Sequence, residues 1–159
     1  MRAFCTDVAV RWSDMDVYGH VNNARVVTLL EEARTELLFG EGARCGAQAL
    51  ADGVIVVELA VRYRMPLVYS AKPVRVRLWI SELRRASFTL EYTVSAAANP
   101  ADAERRETTE GGEPTDGRGY AVTASTRLAA YETATSKPRR LTPAEREFLA
   151  AFTERGHGG

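Results

Sequence analysis

Several features are scarce in this sequence of 159 residues, and each scarcity argues against a class of protein. Only two cysteines are present, Cys5 and Cys45, far apart and without the spacing of metal ligands. We therefore expect neither a disulfide framework nor a cysteine metal site. We also expect the protein to reside in a reducing compartment. Lysine plus arginine number 21 and so do aspartate plus glutamate. With this balance the protein has no net positive charge that would attract nucleic acid or an acidic membrane.

Long apolar runs and common cofactor motifs are also missing. No stretch approaches the ~20 apolar residues of a membrane-spanning helix, and no apolar run follows a basic start. The sequence lacks the Gly-x-x-x-x-Gly-Lys-Ser/Thr loop, the Gly-x-Ser-x-Gly elbow and a cluster of metal ligands. We expect a soluble cytoplasmic protein that uses neither a metal ion nor an organic cofactor. Cys45 is expected to be a small buried hydrophobic residue rather than a nucleophile.

The length predicts one domain over residues 1–159, large enough to bury its own core. One long amphipathic helix is predicted by Val26, Leu30, Ala33 and Leu37, which recur at helical spacing. Its first turn would be capped by Asn22 or Asn23. Gly40 is a candidate for the glycine that ends it, after about sixteen residues.

Five segments alternate between apolar and polar residues and are predicted to be strands. They are residues 6–13, 54–65, 74–80, 88–94 and 120–129. The first places Val8, Val10 and Trp12 on one side. Four of the strands follow the helix through mostly short links, which favours an antiparallel meander packed on one helix, an α+β fold.

Two further segments flank the last predicted strand. Residues 99–119 are polar, with almost no large apolar side chain, and are predicted to form a mobile excursion. Thr142, Pro143 and Glu145 form a helix start of the capping-box type, which predicts a short C-terminal helix over about 142–155. His157 lies in a glycine-rich end that should fray, and no role is assigned to it.

The stretch over residues 11–25 brings together groups that can carry chemistry. It reads Arg-Trp-Ser-Asp-Met-Asp-Val-Tyr-Gly-His-Val-Asn-Asn-Ala-Arg. Asp14, Asp16 and His20 are predicted to lie in a loop directed at the positive end of the long helix. Free N–H groups and the helix dipole stabilise negative charge there. A carboxylate, an imidazole and oxyanion donors together form a candidate site for acyl transfer.

Within this stretch, Asp-Met-Asp-Val-Tyr-Gly-His-Val-Asn-Asn resembles the motif of hot-dog-fold thioesterases. The similarity is to the hydroxybenzoyl-CoA thioesterase group and to the plant acyl-carrier-protein thioesterases. It implies a hot-dog fold, in which an antiparallel sheet of about five strands wraps around one long helix, with the core over residues 6–131. It also implies hydrolysis of an acyl-CoA or acyl-carrier-protein thioester at a site between two subunits. The protein would then be a homodimer or a dimer of dimers.

The resemblance also implies roles for single residues. Asp16 matches the acidic residue that acts as nucleophile or general base, and the backbone N–H of Asn23 matches the donor that faces the thioester carbonyl. His20 matches the histidine of the plant pattern and would either orient a water molecule or substrate, or brace the loop. Tyr18 replaces an asparagine of that pattern, which puts the full plant-type triad in doubt. Tyr18 and Gly19 are assigned to substrate binding.

Arg84, Arg85 and Ser87 lie in a predicted turn between two strands, which in the family can approach the nucleotide end of the ligand. Arginine suits phosphate, so these three residues are also assigned to substrate binding. The alternative is that they are solvated surface charge. Three other cationic residues are weaker candidates for phosphate: Arg62, Arg64 and Lys72.

Other interpretations of the same residues stay open. Asp16 could simply cap a loop, and Asp14 is expected to be structural, holding the loop by bonds to backbone N–H groups. Asn22 is more plausible as a helix cap than as a ligand. At the level of function, the alternatives are a non-catalytic module that binds acyl thioesters and a hydratase on the same fold.

Overall fold

A curled antiparallel sheet packs against one long helix in the computed structural model, which describes residues 3–70, 72–95 and 120–153. The strands are β1 (Phe4–Val8), β2 (Val54–Tyr63), β3 (Val74–Leu83), β4 (Ser87–Ser95), β5 (Val122–Glu132) and β6 (Lys137–Pro138). The helices are a short 3₁₀ turn (Trp12–Asp14), α1 (Asn23–Thr35), α2 (Gly42–Arg44), α3 (Ala49–Asp52) and α4 (Pro143–Ala150). This is the α+β arrangement that the hot-dog resemblance implied.

The strand order in the sheet is β1-β3-β4-β5-β2, with every neighbouring pair antiparallel, and β6 pairs with β5. The meander prediction is correct for β3, β4 and β5 but wrong for β2, which pairs with β5 rather than β3. Ten residues, with Pro66 and Pro73 among them, separate β2 from β3. That link is longer than the two to five residues of a hairpin loop, so β2 can lie at the opposite edge of the sheet.

The predicted alternation is confirmed in the three central strands. One face of each is buried against α1, and its members include Val76, Leu78, Leu90, Tyr92 and Leu128. The first predicted strand is wrong beyond Val8 because the chain turns into the 3₁₀ helix Trp12–Asp14. Trp12 is therefore 79% exposed instead of facing the core.

The long helix begins as predicted and ends later. The Asn22 side chain accepts a hydrogen bond from the Ala24 N–H, and the helix buries Val26, Leu30 and Ala33. The predicted end at Gly40 is wrong. The chain continues through a π-helical segment (Glu36–Glu41) into α2.

The helix actually ends at Arg44, and Gly46, which follows the C-cap Cys45, has a φ of 83°. The Gly46 N–H donates to the Ala43 carbonyl at 3.2 Å, and the Ala47 N–H donates to the Gly42 carbonyl at 2.7 Å. This pair of bonds is the Schellman motif, which satisfies carbonyls that the helix end would leave free. Buried Leu37 and Leu38 favour the continuation past Gly40 because their side chains face the core.

The C-terminal helix confirms the predicted capping box. The Thr142 hydroxyl accepts from the Glu145 N–H, and the Glu145 carboxylate accepts from the Thr142 N–H. The helix is shorter than predicted and ends at Ala150. Beyond it, the Ile80 N–H of β3 donates to the Phe152 carbonyl at 2.9 Å, so this part of the chain docks on the sheet.

Some predictions fall outside the described residues. They are the excursion over 99–119, the last part of the predicted C-terminal helix and the frayed end with His157. Within the described ranges, no helix has the length and apolar character needed to cross a membrane.

Candidate active site

The loop that leads into α1 is a tight turn built around Asp16. The Gly19 N–H donates to the Asp16 carbonyl at 3.2 Å, and Gly19 has a φ of 76°, a conformation that glycine adopts without strain. The Asp16 Oδ1 atom accepts from the Tyr18 N–H at 2.8 Å and from the His20 N–H at 3.1 Å. The spacing Asp-x-x-Gly-His is therefore needed first of all to close this turn.

The turn is held against the rest of the fold by backbone bonds on both sides. The Asp16 N–H donates to the His20 carbonyl at 2.8 Å, and the Val21 N–H donates to the Leu67 carbonyl at 2.7 Å. The Asp16 Oδ2 atom has no hydrogen bond to any part of the chain that the structure describes. One carboxylate oxygen thus fixes the loop, and the other is available to a ligand or a water molecule.

The first residues of α1 lie beside this carboxylate. Asn22 acts as the cap, and its N–H donates to the Asp14 carbonyl at 2.8 Å. Asn23 is the first helical residue, and its side chain is exposed. The N–H of a first helical residue has no partner within the helix, and the helix dipole is positive at this end. An oxyanion near the Asn23 N–H would be stabilised.

Asp16 and Asn23 both line two separate hollows. The inner cavity, of about 440 Å³, is lined by these two residues and by His20, Val21, Val26, Tyr63, Arg64, Met65, Pro66, Leu67 and Val122. The outer groove, of about 950 Å³, is lined by the same pair and by Trp12, Ser13, Met15, Val17, Tyr18, Gly19, Asn22 and Tyr69. Asp16 and the start of α1 therefore border both hollows.

His20 is brought to the same place as Asp16 and Asn23, as the sequence predicted. It lines the inner cavity, is half-buried, and its backbone pairs with Val68. No hydrogen bond from the His20 imidazole is made to the described residues. Both of its predicted roles, orienting a water molecule and bracing the loop, remain predictions.

Asp14 has the structural role that was expected, although on a 3₁₀ turn rather than on extended backbone. Its side chain is 4% exposed, and its Oδ2 atom accepts from the Arg11 N–H at 2.8 Å. The bond caps the start of the 3₁₀ turn, which in turn leads the chain into the Asp16 loop. Asp14 does not line either hollow.

Tyr63 is a site residue that the sequence analysis missed. It is the last residue of β2, lines the inner cavity, and donates its hydroxyl hydrogen bond to the Asn23 carbonyl at 2.8 Å. Burial raises the pKa of the Tyr63 hydroxyl above its ordinary value. Forty residues separate Tyr63 from Asn23, and only the sheet topology brings them together. No local motif could have indicated this contact.

The predicted substrate-binding residues divide into two groups. Tyr18 and Gly19 line the outer groove next to Asp16, and Tyr18 is 80% exposed. Arg84, Arg85 and Ser87 lie at the other end of the sheet. Ser87 pairs with Ala129, seven residues along β5 from Val122 of the inner cavity, roughly 23 Å away.

The β3–β4 turn therefore does not meet Asp16 within one chain. Arg84 binds the Glu82 carboxylate through Nε at 2.8 Å, and its carbonyl accepts from Arg146 at 2.7 Å. Phosphate binding by Arg84 and Arg85 stays a prediction. Arg64, ranked below them on sequence, is instead a lining residue of the inner cavity.

The cysteines do not contribute to this site. Cys5 and Cys45 are both free and exposed, so the expectation that Cys45 is buried is wrong. It follows the last residue of α2 at a helix end, where the chain faces solvent. Across the described ranges, no group of three His, Cys, Asp or Glu side chains is placed to hold a metal ion.

The chain is similar to known thioesterases. The model of the thioesterase-like superfamily matches residues 10–152. The long-chain acyl-CoA thioesterase FadM of Escherichia coli (strain K12) is 40% identical over 65 residues, which are 41% of this chain and 49% of FadM. The match thus spans about half the length of that curated relative.

Two solved structures show the same fold. A thioesterase from Thermus thermophilus, complexed with coenzyme A and Zn, is 24% identical, with a TM-score of 0.66 over 93% of this chain and 92% of that one. The DHNA-CoA thioesterase from Staphylococcus aureus is 22% identical, with a TM-score of 0.70 over 95% of this chain and 91% of that one. Both similarities identify the arrangement of sheet and helix as the hot-dog fold.

Proposed function

This chain belongs to the thioesterase-like superfamily, and from that premise we propose that it hydrolyses an acyl-CoA thioester to a free carboxylic acid and the CoA thiol. The observation that carries the proposal is the position of Asp16 and Asn23, which line both hollows. A thioester extends in two directions from its carbonyl, one arm being the acyl group and the other the pantetheine. Two hollows that share a carboxylate and a helix start suit such a substrate.

Asp16 is proposed to be the catalytic carboxylate. Its Oδ1 atom is fixed by two backbone N–H groups, so its Oδ2 atom is held in one place. As a general base, Asp16 would take a proton from water as the water oxygen attacks the thioester carbon. The C–S bond then breaks, and the proton passes to the sulfur of the leaving thiol.

As a nucleophile, Asp16 would attack the thioester carbon directly and release the thiolate. Water would then hydrolyse the resulting anhydride to the free acid and restore the Asp16 carboxylate, and the proton that is released protonates the thiolate to the thiol. Both routes use the same carboxylate oxygen and give the same products. We retain both, because the geometry of the loop suits either one.

The N–H of Asn23 is proposed to polarise the thioester carbonyl. Negative charge develops on the carbonyl oxygen during either route, and a fixed N–H at a helix start stabilises it without reorganisation. His20, in the same cavity, is proposed to orient the water molecule. The carboxylate, the helix start and water supply the chemistry, so we propose that no metal ion or organic cofactor is required.

The same loop geometry also fits a second candidate, a module that binds acyl thioesters without hydrolysing them. The bonds from Tyr18 and His20 to Asp16 would close the loop whether or not the carboxylate takes part in chemistry. Such a module would bind the ligand in the same two hollows. The two candidates differ in whether free thiol is produced.

The deciding experiment is a panel of acyl-CoA and acyl-carrier-protein thioesters offered side by side, with free thiol measured against time. We expect thiol release from at least one CoA-linked thioester, at an equal rate after prior chelation of metals. Binding of a thioester without thiol release above the uncatalysed rate would favour the binding module. Loss of activity on chelation, restored by a metal ion, would contradict a cofactor-free reaction.

We also propose that the chain assembles as a homodimer or a dimer of dimers. The edge strand β2 is exposed over most of its length and carries Ile55, Val56, Val57 and Leu59, each more than a third exposed. A ten-residue edge strand with several exposed apolar side chains favours pairing with a strand of another chain. A cytoplasmic location is proposed as well, supported by the two free thiols, which suit a reducing compartment.

A further inference from the structure

The hydroxyl of Tyr63 connects the edge strand of the sheet to the start of α1. It donates to the Asn23 carbonyl at 2.8 Å, and the Tyr63 ring lines the inner cavity with Asp16 and His20. The backbone on the C-terminal side of Tyr63 is held as well. The N–H groups of Arg64 and Met65 donate to the Ala121 carbonyl at 2.8 and 3.1 Å. These backbone bonds therefore hold the end of β2, and with it Tyr63, against the neighbouring chain segment.

The bond is not needed to satisfy the helix. In an α-helix the carbonyl of the first residue accepts the N–H four residues later, so the Asn23 carbonyl has a partner without Tyr63. The tyrosine adds a second donor to an acceptor that has two lone pairs. What the bond adds is position, because it fixes the first turn of the helix relative to the strand.

Position matters at this residue because of the proposed chemistry. An oxyanion donor works when it lies roughly 2.7–3.1 Å from where the negative charge develops, so small displacements are costly. Burial raises the pKa of the Tyr63 hydroxyl. The phenol therefore keeps its proton across the neutral range and remains a donor.

We propose that Tyr63 is a positioning residue for the thioester carbonyl, acting through its hydrogen bond to the Asn23 carbonyl. The inference rests on the proposed thioesterase function. It makes the end of β2 part of the active site, although Tyr63 lies outside the motif of residues 14–23. Tyr63 holds the turn that presents the Asn23 N–H, and it takes no proton from the substrate.

The test is the variant Tyr63→Phe, which removes the hydroxyl and keeps the ring in the cavity. We expect kcat to fall about tenfold while KM changes by less than about twofold, because a positioning bond acts on the transition state. The pH profile should keep its shape, because Tyr63 does not titrate during the reaction. Tyr131→Phe is the matched control; Tyr131 lies at the far end of β5 against Pro138, and its variant should keep the wild-type kcat.

Three kinetic results would overturn the inference. An unchanged kcat in Tyr63→Phe would show that the hydroxyl has only a packing role. A rise in KM with kcat retained would make Tyr63 a contact of the substrate. A changed pH profile would make it a proton-transfer group.

A second measurement keeps the inference testable if the chain hydrolyses no thioester at all. Backbone amide exchange over residues 24–27 should become about fivefold faster in Tyr63→Phe, because the first turn of α1 loses its anchor. Exchange elsewhere in α1 should match the wild type. Unchanged exchange over residues 24–27 in the variant would contradict the positioning role. Faster exchange in the variant, together with a wild-type chain that hydrolyses no thioester, would support the positioning of the helix start and contradict only the thioesterase proposal.

Discussion

Two aspartates only two residues apart differ completely in their surroundings. Asp14 is buried and caps the 3₁₀ turn through the Arg11 N–H, whereas Asp16 lines both hollows and has one oxygen available. The difference comes from the backbone, because the chain leaves the 3₁₀ turn between them and enters the tight turn closed by Gly19. Their substitution should therefore separate a structural carboxylate from the carboxylate that we propose to be catalytic.

We predict that Asp16→Asn lowers kcat by about a hundredfold or more, because the variant loses a base or nucleophile. The asparagine Oδ1 atom can still accept from the Tyr18 and His20 N–H groups, so the loop should stay closed. The measurement is turnover of folded variants at saturating acyl-CoA. A kcat within about threefold of wild type, roughly 0.65 kcal/mol in barrier, would remove Asp16 from the chemistry.

Asp14→Asn is the matched control for that comparison. It makes the same chemical change two residues earlier and weakens a buried charged hydrogen bond, which we expect to cost about 1–2 kcal/mol of unfolding free energy. Its kcat should stay close to wild type in the folded protein. Equal losses of kcat in the two variants would indicate disruption of the loop rather than loss of a catalytic group.

At the residue scale, the sequence could predict contacts between residues that lie close together along the chain. Asp16, His20 and Asn23 lie within eight residues, and the glycine between them fixes the turn, so their proximity could be read directly. Tyr63 could not be identified in this way, because its approach to Asn23 depends on where β2 lies in the sheet. The prediction that Arg84 and Arg85 lie near the ligand rests on the resemblance alone, and the strand register puts both residues at the far end of the sheet within one chain.

Helix starts were more predictable than helix ends. The side chains of Asn22 and Thr142 bond to backbone N–H groups two and three residues later, so the signal is contained within one turn. Gly40 and Gly46 both follow plausible last turns, and the sequence does not show which of them takes a positive φ. The outcome was decided by burial of Leu37 and Leu38, which depends on the rest of the fold.

The Glu145–Arg139 pair ties α4 to two other parts of the chain. The Glu145 side chain is fully buried and accepts two bonds from the Arg139 guanidinium, at 2.7 and 2.8 Å, and one from the Thr142 N–H. Arg139 also donates to the Ala49 carbonyl of α3 at 2.7 Å. Burial alone would raise the pKa of Glu145, but the bonds from Arg139 and Thr142 outweigh it and lower that pKa below its ordinary value of 4.5.

We predict that Glu145→Gln lowers the free energy of unfolding by about 2 kcal/mol at pH 7. Because the folded pKa lies below the unfolded one, the ionised Glu145 contributes fully above pH 4.5 and loses its contribution as the pH falls through the folded pKa. The deficit of the variant should therefore shrink in acid, as measured by denaturant unfolding at pH 7 and below about pH 4. Glu147→Gln, exposed on the same helix, is the control and should change little at either pH. A deficit that is equal at both pH values would contradict the role of the charge.

On the scale of the whole molecule, the edge strand β2 leaves apolar side chains exposed that a single chain does not cover. The sheet ends at β2, and three of its side chains on the helix side, Val56, Leu59 and Tyr63, remain more than a third exposed. Alternation along residues 54–65 predicted a strand correctly, but it could not show that this strand lies at an edge. That fact depends on pairing with β5, which comes much later in the chain.

We predict that two chains pair through β2 and that Val57→Lys weakens the assembly. Val57 lies at the β-bulge near the middle of the strand and is 52% exposed. In a twofold interface each substitution occurs twice, so two lysines would enter one apolar contact. We expect wild type to sediment at twice the 17.5 kDa chain mass or more, and the variant to dissociate at about tenfold higher concentration. Ala150→Lys, exposed on α4, is the control and should assemble like wild type.

The same experiment links assembly to activity. Tyr63 ends β2, so the proposed interface continues directly into the inner cavity and the start of α1. If β2 is held in place by its partner, dilution of Val57→Lys below its dissociation range should lower the turnover per chain, and wild type at that concentration should retain it. A wild-type chain that is monomeric and fully active would contradict pairing through β2. A variant that dissociates but keeps full turnover would show that the interface forms without supporting the site.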